Sequence, residues 1–291
     1  PFLGSYIVKF SPNSTNLEVF YVAIINTFVC AGVGIILSTI LGLLIGIARL
    51  STNYLISRLA NAYIELFRNI PILLQILFWY NIFLNALPHP KKSISFLDLI
   101  FVNNRGFYLP NPIPEEGFVW VFVTFAIGIA AAIYTKRYFK RKQDETGQQT
   151  NTIGYSLGLI IVLPIVVFFL LGKPLQFDYA ILGKFNLKGG LAVVPEFVAL
   201  TLALSVYTAT YIAEAIRSGI EAVDKGQKEA AAAIGLTPTQ SLKLVVLPQA
   251  LRVAIPPTIN QYLNLTKNSS LAAAIGYPEL MSAFGGTVLN Q

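Results

Sequence analysis

The sequence predicts an all-α integral membrane protein, and three observations carry that prediction. Of 291 residues, 55% are hydrophobic and only 12% are charged, about half the charged share of an ordinary soluble domain. The charges are segregated, leaving uncharged runs of roughly the 20 residues a helix needs to cross a hydrocarbon core. Late in the chain, residues 229–248 read EAAAAIGLTPTQSLKLVVLP, a segment punctuated as two short helices.

Uncharged runs occur at 19–48, 69–90, 117–135 and within 146–172. A fifth, 197–213, is shorter and leads into the amphipathic Glu214-Ala215-Ile216-Arg217. After the punctuated segment, 253–278 is apolar except for Lys267. Its Pro256-Pro257 pair predicts a break, because proline removes the helical N–H and crowds the preceding turn. The expectation is five regular spans and a sixth, irregular one.

With 214–252 on the cytoplasmic side, alternation puts 49–68 and 136–145 inside as well, and 1–18, 91–116 and 173–196 outside. Lys and Arg then number 13 inside and 7 outside, with Lys267 at or within the membrane. That asymmetry follows the positive-inside rule, with residues 136–142 (KRYFKRK) as the main anchor. The formal charge of +7 therefore reads as a topology signal beside lipid head groups. No basic stripe with interleaved aromatics on a soluble domain points to nucleic acid.

In the punctuated segment, Ala230 to Ala233 are small, strong helix formers, presenting a smooth surface that another protein can approach closely. Gly235 is placed to end that helix in a left-handed cap. Thr237 caps the next one, Pro238 takes its first position, and Gln240 completes a capping box. A stiff helix–turn–helix results.

One Cys (Cys30) and one His (His89) exclude a disulfide framework and multi-histidine or cysteine metal cages. Cys30 reads as a small packing residue and His89, between two prolines, as a surface turn residue. No GxxxxGK[ST] occurs, so ATP is not bound here through a P-loop. No catalytic residue is assigned.

Polar residues within the spans are candidates for a path, since they are costly in lipid and tend to face the bundle interior. Asn260, Asn264, Lys267 and Asn268 share a stripe about 100° wide. Asn69 and Gln75 flank Pro71, while Thr201, Ser205 and Thr208 share another face. Hydroxyls in membrane helices also bond their own backbone. Lys267 has two readings: contact with a substrate carboxylate, or snorkelling to the outer interface about 28 Å of helix beyond Pro248. Glu65 with Arg68, and Glu214 with Arg217, are spaced to pair one turn apart.

Three segments carry a resemblance: NAYIELFRNIPILLQ (61–75), YIAEAIRSGIEAVDKGQKEAA (211–231) and TKNSSL (266–271). Together with the EAA signature they resemble the permease subunits of ABC importers of the polar amino-acid (histidine/glutamine) class. A stretch of about a hundred residues between Leu87 and Gly190, including FVNNRGFYLPNPIP (101–114), is similar to the larger first permease of general L-amino acid (glutamate/glutamine/aspartate/asparagine) importers.

The resemblance implies a type I ABC importer-like transmembrane bundle with a cytoplasmic EAA coupling loop, multi-pass in a bacterial inner (plasma) membrane. It implies that Glu229, Ala230, Ala231, Gly235, Leu236, Thr237 and Pro238 grip an ATPase. It implies a substrate path drawn from Asn69, Gln75, Thr208, Asn260, Asn264, Lys267, Asn268 and Ser269. The implied partners are an ABC ATPase dimer that binds ATP and Mg, a second and unlike permease, a periplasmic amino-acid-binding protein, the amino-acid substrate and membrane lipid. The expected organisation is an outer segment (1–18), two core spans (19–90), an insertion with two further spans (91–190), and a core region with the coupling loop (191–291).

An ion-coupled secondary transporter is the alternative. It calls for inverted repeats or paired intramembrane acids, and the spans show neither. A membrane-embedded enzyme would need a cluster of titratable groups at membrane depth, which Lys267 alone does not make. The chain starts Pro1-Phe2 without an initiator Met and stops just after Gly285-Gly286. Both ends are read as cuts in a longer protein, the second before a last helix.

Overall fold

Thr15 opens the first helix: its hydroxyl accepts from the backbone N–H of Glu18, and the Glu18 side chain accepts from the N–H of Thr15. The computed structural model describes residues 14–147, 152–183 and 187–285. Most of the outer segment expected at 1–18, and the chain end after 285, lie outside the described residues. The chain divides into two compact units, one formed by 1–108, 184–186 and 192–291, the other by 109–183 and 187–191.

In the first unit, α1 (Asn16–Arg49) runs 34 residues, about 51 Å at 1.5 Å per residue. Its buried positions include Asn26, Cys30, Gly34, Ser38, Gly42 and Gly46, every fourth residue and almost all small. Cys30, Gly42 and Gly46 pack on α7 (Pro195–Glu221), which is buried along most of its length. Small residues let two backbones approach closely, and such packing holds helices together where lipid supplies no hydrophobic drive. Cys30 is fully buried, its sulfur 3.7 Å from the Thr201 hydroxyl, in the packing role its sequence context suggests.

The second apolar run does not form one straight span. Helix α2 (Tyr54–Asn69), capped by the Asn53 side chain, meets α3 (Ile72–Asn85) at a bend of 101°. Pro71 forces the break, since it cannot donate into the preceding turn. Gln75, 3% exposed, holds the bend. Its Nε2 donates to the carbonyls of Phe67 at 2.8 Å and Ile70 at 3.0 Å.

Helix α8 (Lys225–Ala233) and the short α9 (Pro238–Ser241) follow α7. A π-helical turn then leads into α10 (Leu247–Asn268) and a 3₁₀ stretch to Ile275. The break expected at Pro256-Pro257 is not there: α10 runs through both prolines. Pro256 and Pro257 are exposed, as are Arg252 and Val253, whose carbonyls they leave unmatched. The packed face, carrying Ala250 and Ala254, is undisturbed.

After Gly276 the chain turns into α11 (Leu280–Ala283). Asn26 donates to the Pro278 carbonyl at 2.9 Å, and the Thr27 hydroxyl accepts from Leu280 N–H at 3.1 Å.

The segments between spans contain short strands the all-α pattern does not reveal. In the first unit, β1 (Ile94–Phe96), β2 (Ile100–Asn103), β3 (Gly106–Leu109) and β8 (Leu191–Val193) form a four-stranded sheet in the order β1-β2-β3-β8. Ile94 stands opposite Val102, and Phe101 opposite Tyr108. His89 is an exposed turn residue before it, 3.3 Å from the Asn104 amide.

In the second unit, α4 (Phe118–Thr146) packs against α5 (Thr152–Leu157), a π-helical turn and α6 (Leu163–Leu170). Two ribbons complete it: β4 (Asn111–Pro114) with β5 (Leu175–Asp178), and β6 (Ile181–Leu182) with β7 (Leu187–Lys188). Among the described residues, four helices are long and apolar enough to cross a membrane, five if the bent pair counts as one span, with the shorter apolar stretch Gly154–Leu170 besides.

Candidate coupling loop and polar face

The loop between α7 and α10 has the geometry its punctuation predicts. Gly235 adopts φ +82°, its N–H bonds to the Ala232 carbonyl at 3.0 Å, and that of Leu236 reaches Ala231 at 3.1 Å. These are the two bonds of a Schellman cap, and they satisfy carbonyls otherwise orphaned at the helix end. Both halves of the Thr237/Gln240 capping box are present, with Pro238 in the first turn. The turn joining the two short helices is therefore closed by backbone and side-chain bonds on both sides.

Most of the loop faces outward. Glu229, Ala230, Gly235, Thr237 and Pro238 are exposed, Leu236 is half-buried, and Ala231 is 3% exposed, packed inward. Ile234 is 77% exposed at the tip. Sequence reasoning passed over it because a single isoleucine beside a cap carries no motif; an apolar residue between an alanine run and the capping glycine is the signal that was available.

The loop is seated on the bundle by an apolar cluster of Val223, Val246 and Ala250, with Ile220 against it. Gly219 allows the seat: a Cβ there would stand 2.6 Å from the Ala250 carbonyl oxygen. The loop therefore shares a packed contact with the ends of both α7 and α10.

Charges reinforce the same end. Glu214 pairs with Arg217 at 2.6 Å and also with Arg49 at the end of α1, while Arg217 reaches Glu221. The expected Glu214–Arg217 pair is thus one part of a network joining α1 to α7. Glu214→Gln is expected to lower stability by about 1 kcal/mol, because Arg49 loses its counter-charge and Arg217 keeps only Glu221, all at a partly exposed site. Thermal unfolding of the detergent-purified protein reads this, and an unchanged melting curve would leave the network without energetic weight. The Glu65–Arg68 pairing does not form. Arg68 instead lies over the Tyr211 ring at 4.7 Å, a cation–π contact that packing of α2 near α7 makes available.

The polar candidates divide into two groups. Because α10 is continuous, Asn260, Asn264 and Lys267 lie on one face, and all three are exposed; Asn268 is half-buried. Asn69 is also exposed. The others are buried and engaged in packing. Ser269 donates to the Thr266 carbonyl, Ser205 to that of Thr201, Gln75 clamps the bend, and Thr208 is 3% exposed on α7.

Gln75→Leu is expected to cost about 1–3 kcal/mol, the penalty of leaving buried carbonyls unpaired. Thermal unfolding checks it; a variant as stable as the parent would remove the clamp assignment.

One charged residue went unnoticed in the sequence. Glu279 is 2% exposed and accepts from the N–H groups of Met281 at 2.9 Å and Ser282 at 2.7 Å. With Lys267, Thr27, Ser269 and Ser270 it borders a cavity of about 330 Å³. A Tyr-Pro-Glu cap before a short helix was the available clue.

Residues 124–291 match the family model described as binding-protein-dependent transport system inner membrane component. The chain is 50% identical over 289 residues to the general L-amino acid transport system permease protein AapQ of Rhizobium johnstonii, covering 99% of this chain and 72% of that protein. It is 40% identical over 276 residues to the glutamate/glutamine/aspartate/asparagine transport system permease protein BztB of Rhodobacter capsulatus, covering 84% of this chain and 64% of that one. A crystal structure described as an amino acid ABC transporter with histidines shares the fold, with a TM-score of 0.52 at 20% identity over 100% of this chain and 83% of its own. Half-identity along nearly the whole length, together with the family match, means that this chain belongs to the binding-protein-dependent transport system inner membrane components, the multi-pass permease subunits of ABC transporters.

Proposed function

We propose that the chain is the translocation subunit of an ATP-driven importer of polar and acidic amino acids. A separate ATPase pair binds ATP and Mg, a second and unlike permease completes the bundle, and a periplasmic binding protein delivers substrate. The names of the relatives AapQ and BztB support the substrate class. The observation that carries the reading is the capped loop of α8 and α9, outward-facing yet seated on α7 and α10.

In this mechanism ATP closes the ATPase pair and draws the coupling loops together. Glu229, Ala230, Gly235, Leu236, Thr237 and Pro238 form the gripped surface, with Ile234 at its tip and Ala231, packed inward, supporting it from beneath. Rigidity of the loop and the close approach at Gly219 pass that movement to α7 and α10. The bundle then rocks between inward- and outward-open states, a two-state switch that ATP and the loaded binding protein bias.

The exposed stripe of Asn260, Asn264 and Lys267 is costly against lipid, which supports a second permease covering that face. Amides and an ammonium on it offer partners for the carboxylate and ammonium of an amino acid. Asn69 and Asn268 extend that path, whereas Gln75, Thr208 and Ser269 serve packing. The stretch 91–190 adds further spans and short strands.

The test is uptake of labelled glutamate and glutamine into vesicles holding the assembled complex. ATP-dependent uptake that persists when ion gradients are collapsed is expected. Uptake that needs a gradient and ignores ATP would favour the secondary-transporter reading and defeat this one.

A further inference from the structure

We propose that the face of α4 carrying Tyr134, Arg137, Tyr138 and Arg141 binds the phosphate of an anionic phospholipid. These four side chains line a concavity of about 230 Å³. All are exposed, Tyr134 at 72% and Tyr138 at 52%.

Depth selects lipid as the occupant. Residues 118–135 carry no charge and span about 27 Å of helix, close to the hydrocarbon thickness of about 30 Å. The two arginines therefore emerge in the first two turns beyond the acyl region, where lipid phosphates lie. Tyrosine is favoured at the same depth, its ring against the chains and its hydroxyl among the head groups.

The face is held open by contacts made elsewhere on α4. Phe139 stacks on Tyr155 of α5, with centroids 5.7 Å apart and planes 19° from parallel. The α4–α5 groove thus occupies a different side of the helix. Among the described residues, no carboxylate forms an ion pair with Arg137 or Arg141.

The chemistry then follows. A guanidinium offers a planar fork that bonds a phosphate through two parallel N–H groups, and Arg137 and Arg141 stand one turn apart. The other cations of 136–142 raise the local concentration of anionic lipid, while the arginine–tyrosine face holds one molecule in place. This site stands apart from the transport reading and needs no assumption about which side of the membrane it faces.

The test is native mass spectrometry of the complex purified in detergent, with phosphatidylglycerol or phosphatidylcholine added. The complex is expected to retain phosphatidylglycerol preferentially. R137Q/R141Q is expected to lose that retention at least about tenfold, whereas K140Q/K142Q, outside the concavity, is expected to lose far less. R137K/R141K keeps the charge, and with it the topology signal, but removes the fork; it is expected to lose retention several-fold. If R137Q/R141Q fails to insert, R137K/R141K decides. Unchanged retention in either arginine variant, an equal loss in K140Q/K142Q, or displacement of the lipid by millimolar inorganic phosphate would each overturn the proposal.

Discussion

Gly235→Asp is expected to abolish stimulated ATP hydrolysis in the reconstituted complex while the subunits still co-purify. The backbone at Gly235 is left-handed, φ +82°, and a Cβ there would meet nothing within 4 Å. The cost inside this chain is therefore conformational only, about 1–2 kcal/mol for an ordinary residue and less for Asp, whose side chain tolerates this region. That is small beside a typical stability of about 5–15 kcal/mol. The damage falls on the partner instead. Asp puts a carboxylate beside Ile234, 77% exposed, on a small-residue surface meant for close approach, and an unpaired charge buried there is expensive. Gly235→Asn, which keeps the conformation without the charge, is expected to retain most of the stimulation. ATPase rates with and without loaded binding protein, set beside co-purification yields, separate the two. Full stimulation in Gly235→Asp would defeat the coupling assignment.

The contrast between this loop and the rest of the bundle shows what a sequence exposes. Both caps of the coupling loop are local: glycine after the alanine run, and threonine, proline and glutamine in register, fix backbone bonds within a few residues of one another. The stripe of Asn260, Asn264 and Lys267 was legible for the same reason, since helical periodicity alone places it. Long-range partners were not legible. Arg49 meets Glu214 from a distant helix, and Arg68 leaves its neighbour Glu65 for Tyr211 because α2 packs near α7. Gln75 looked like a polar residue of a path, but the bend at Pro71 brings it two free carbonyls, and no spacing encodes that. The proline pair misled in the other direction, because a break depends on which face carries the unmatched carbonyls. Strands of two to four residues between the long helices are too short to show alternation. The every-fourth small residues of α1 were in plain view, yet composition named only an apolar run.

That small-residue ladder sets the other large effect. Gly42→Leu is expected to destabilise the bundle by about 3 kcal/mol or more, since overpacking usually costs about 1–3 kcal/mol and here the obstruction begins at the first added atom. A Cβ on Gly42 would stand 2.7 Å from Cβ and Cγ2 of Ile212 and 3.1 Å from the Ala209 carbonyl oxygen. Rotamer changes relieve neither contact, because both involve atoms at or beside the α7 backbone. The helices must separate, and the close packing that holds α1 to α7 in lipid is lost with the separation. Gly32→Leu is the matched control: the same side chain on the same helix, where an added Cβ meets nothing within 4 Å. It is expected to be nearly neutral. Thermal unfolding of the two purified variants compares them directly, and equal melting temperatures would show that α1 and α7 are not held by close approach. Separation at Gly42 also pulls on the Arg49–Glu214 pair two turns further along α1. Gly42→Leu should therefore weaken the same end of the bundle from which the coupling loop departs, and lower stimulated ATP hydrolysis even in the fraction that folds.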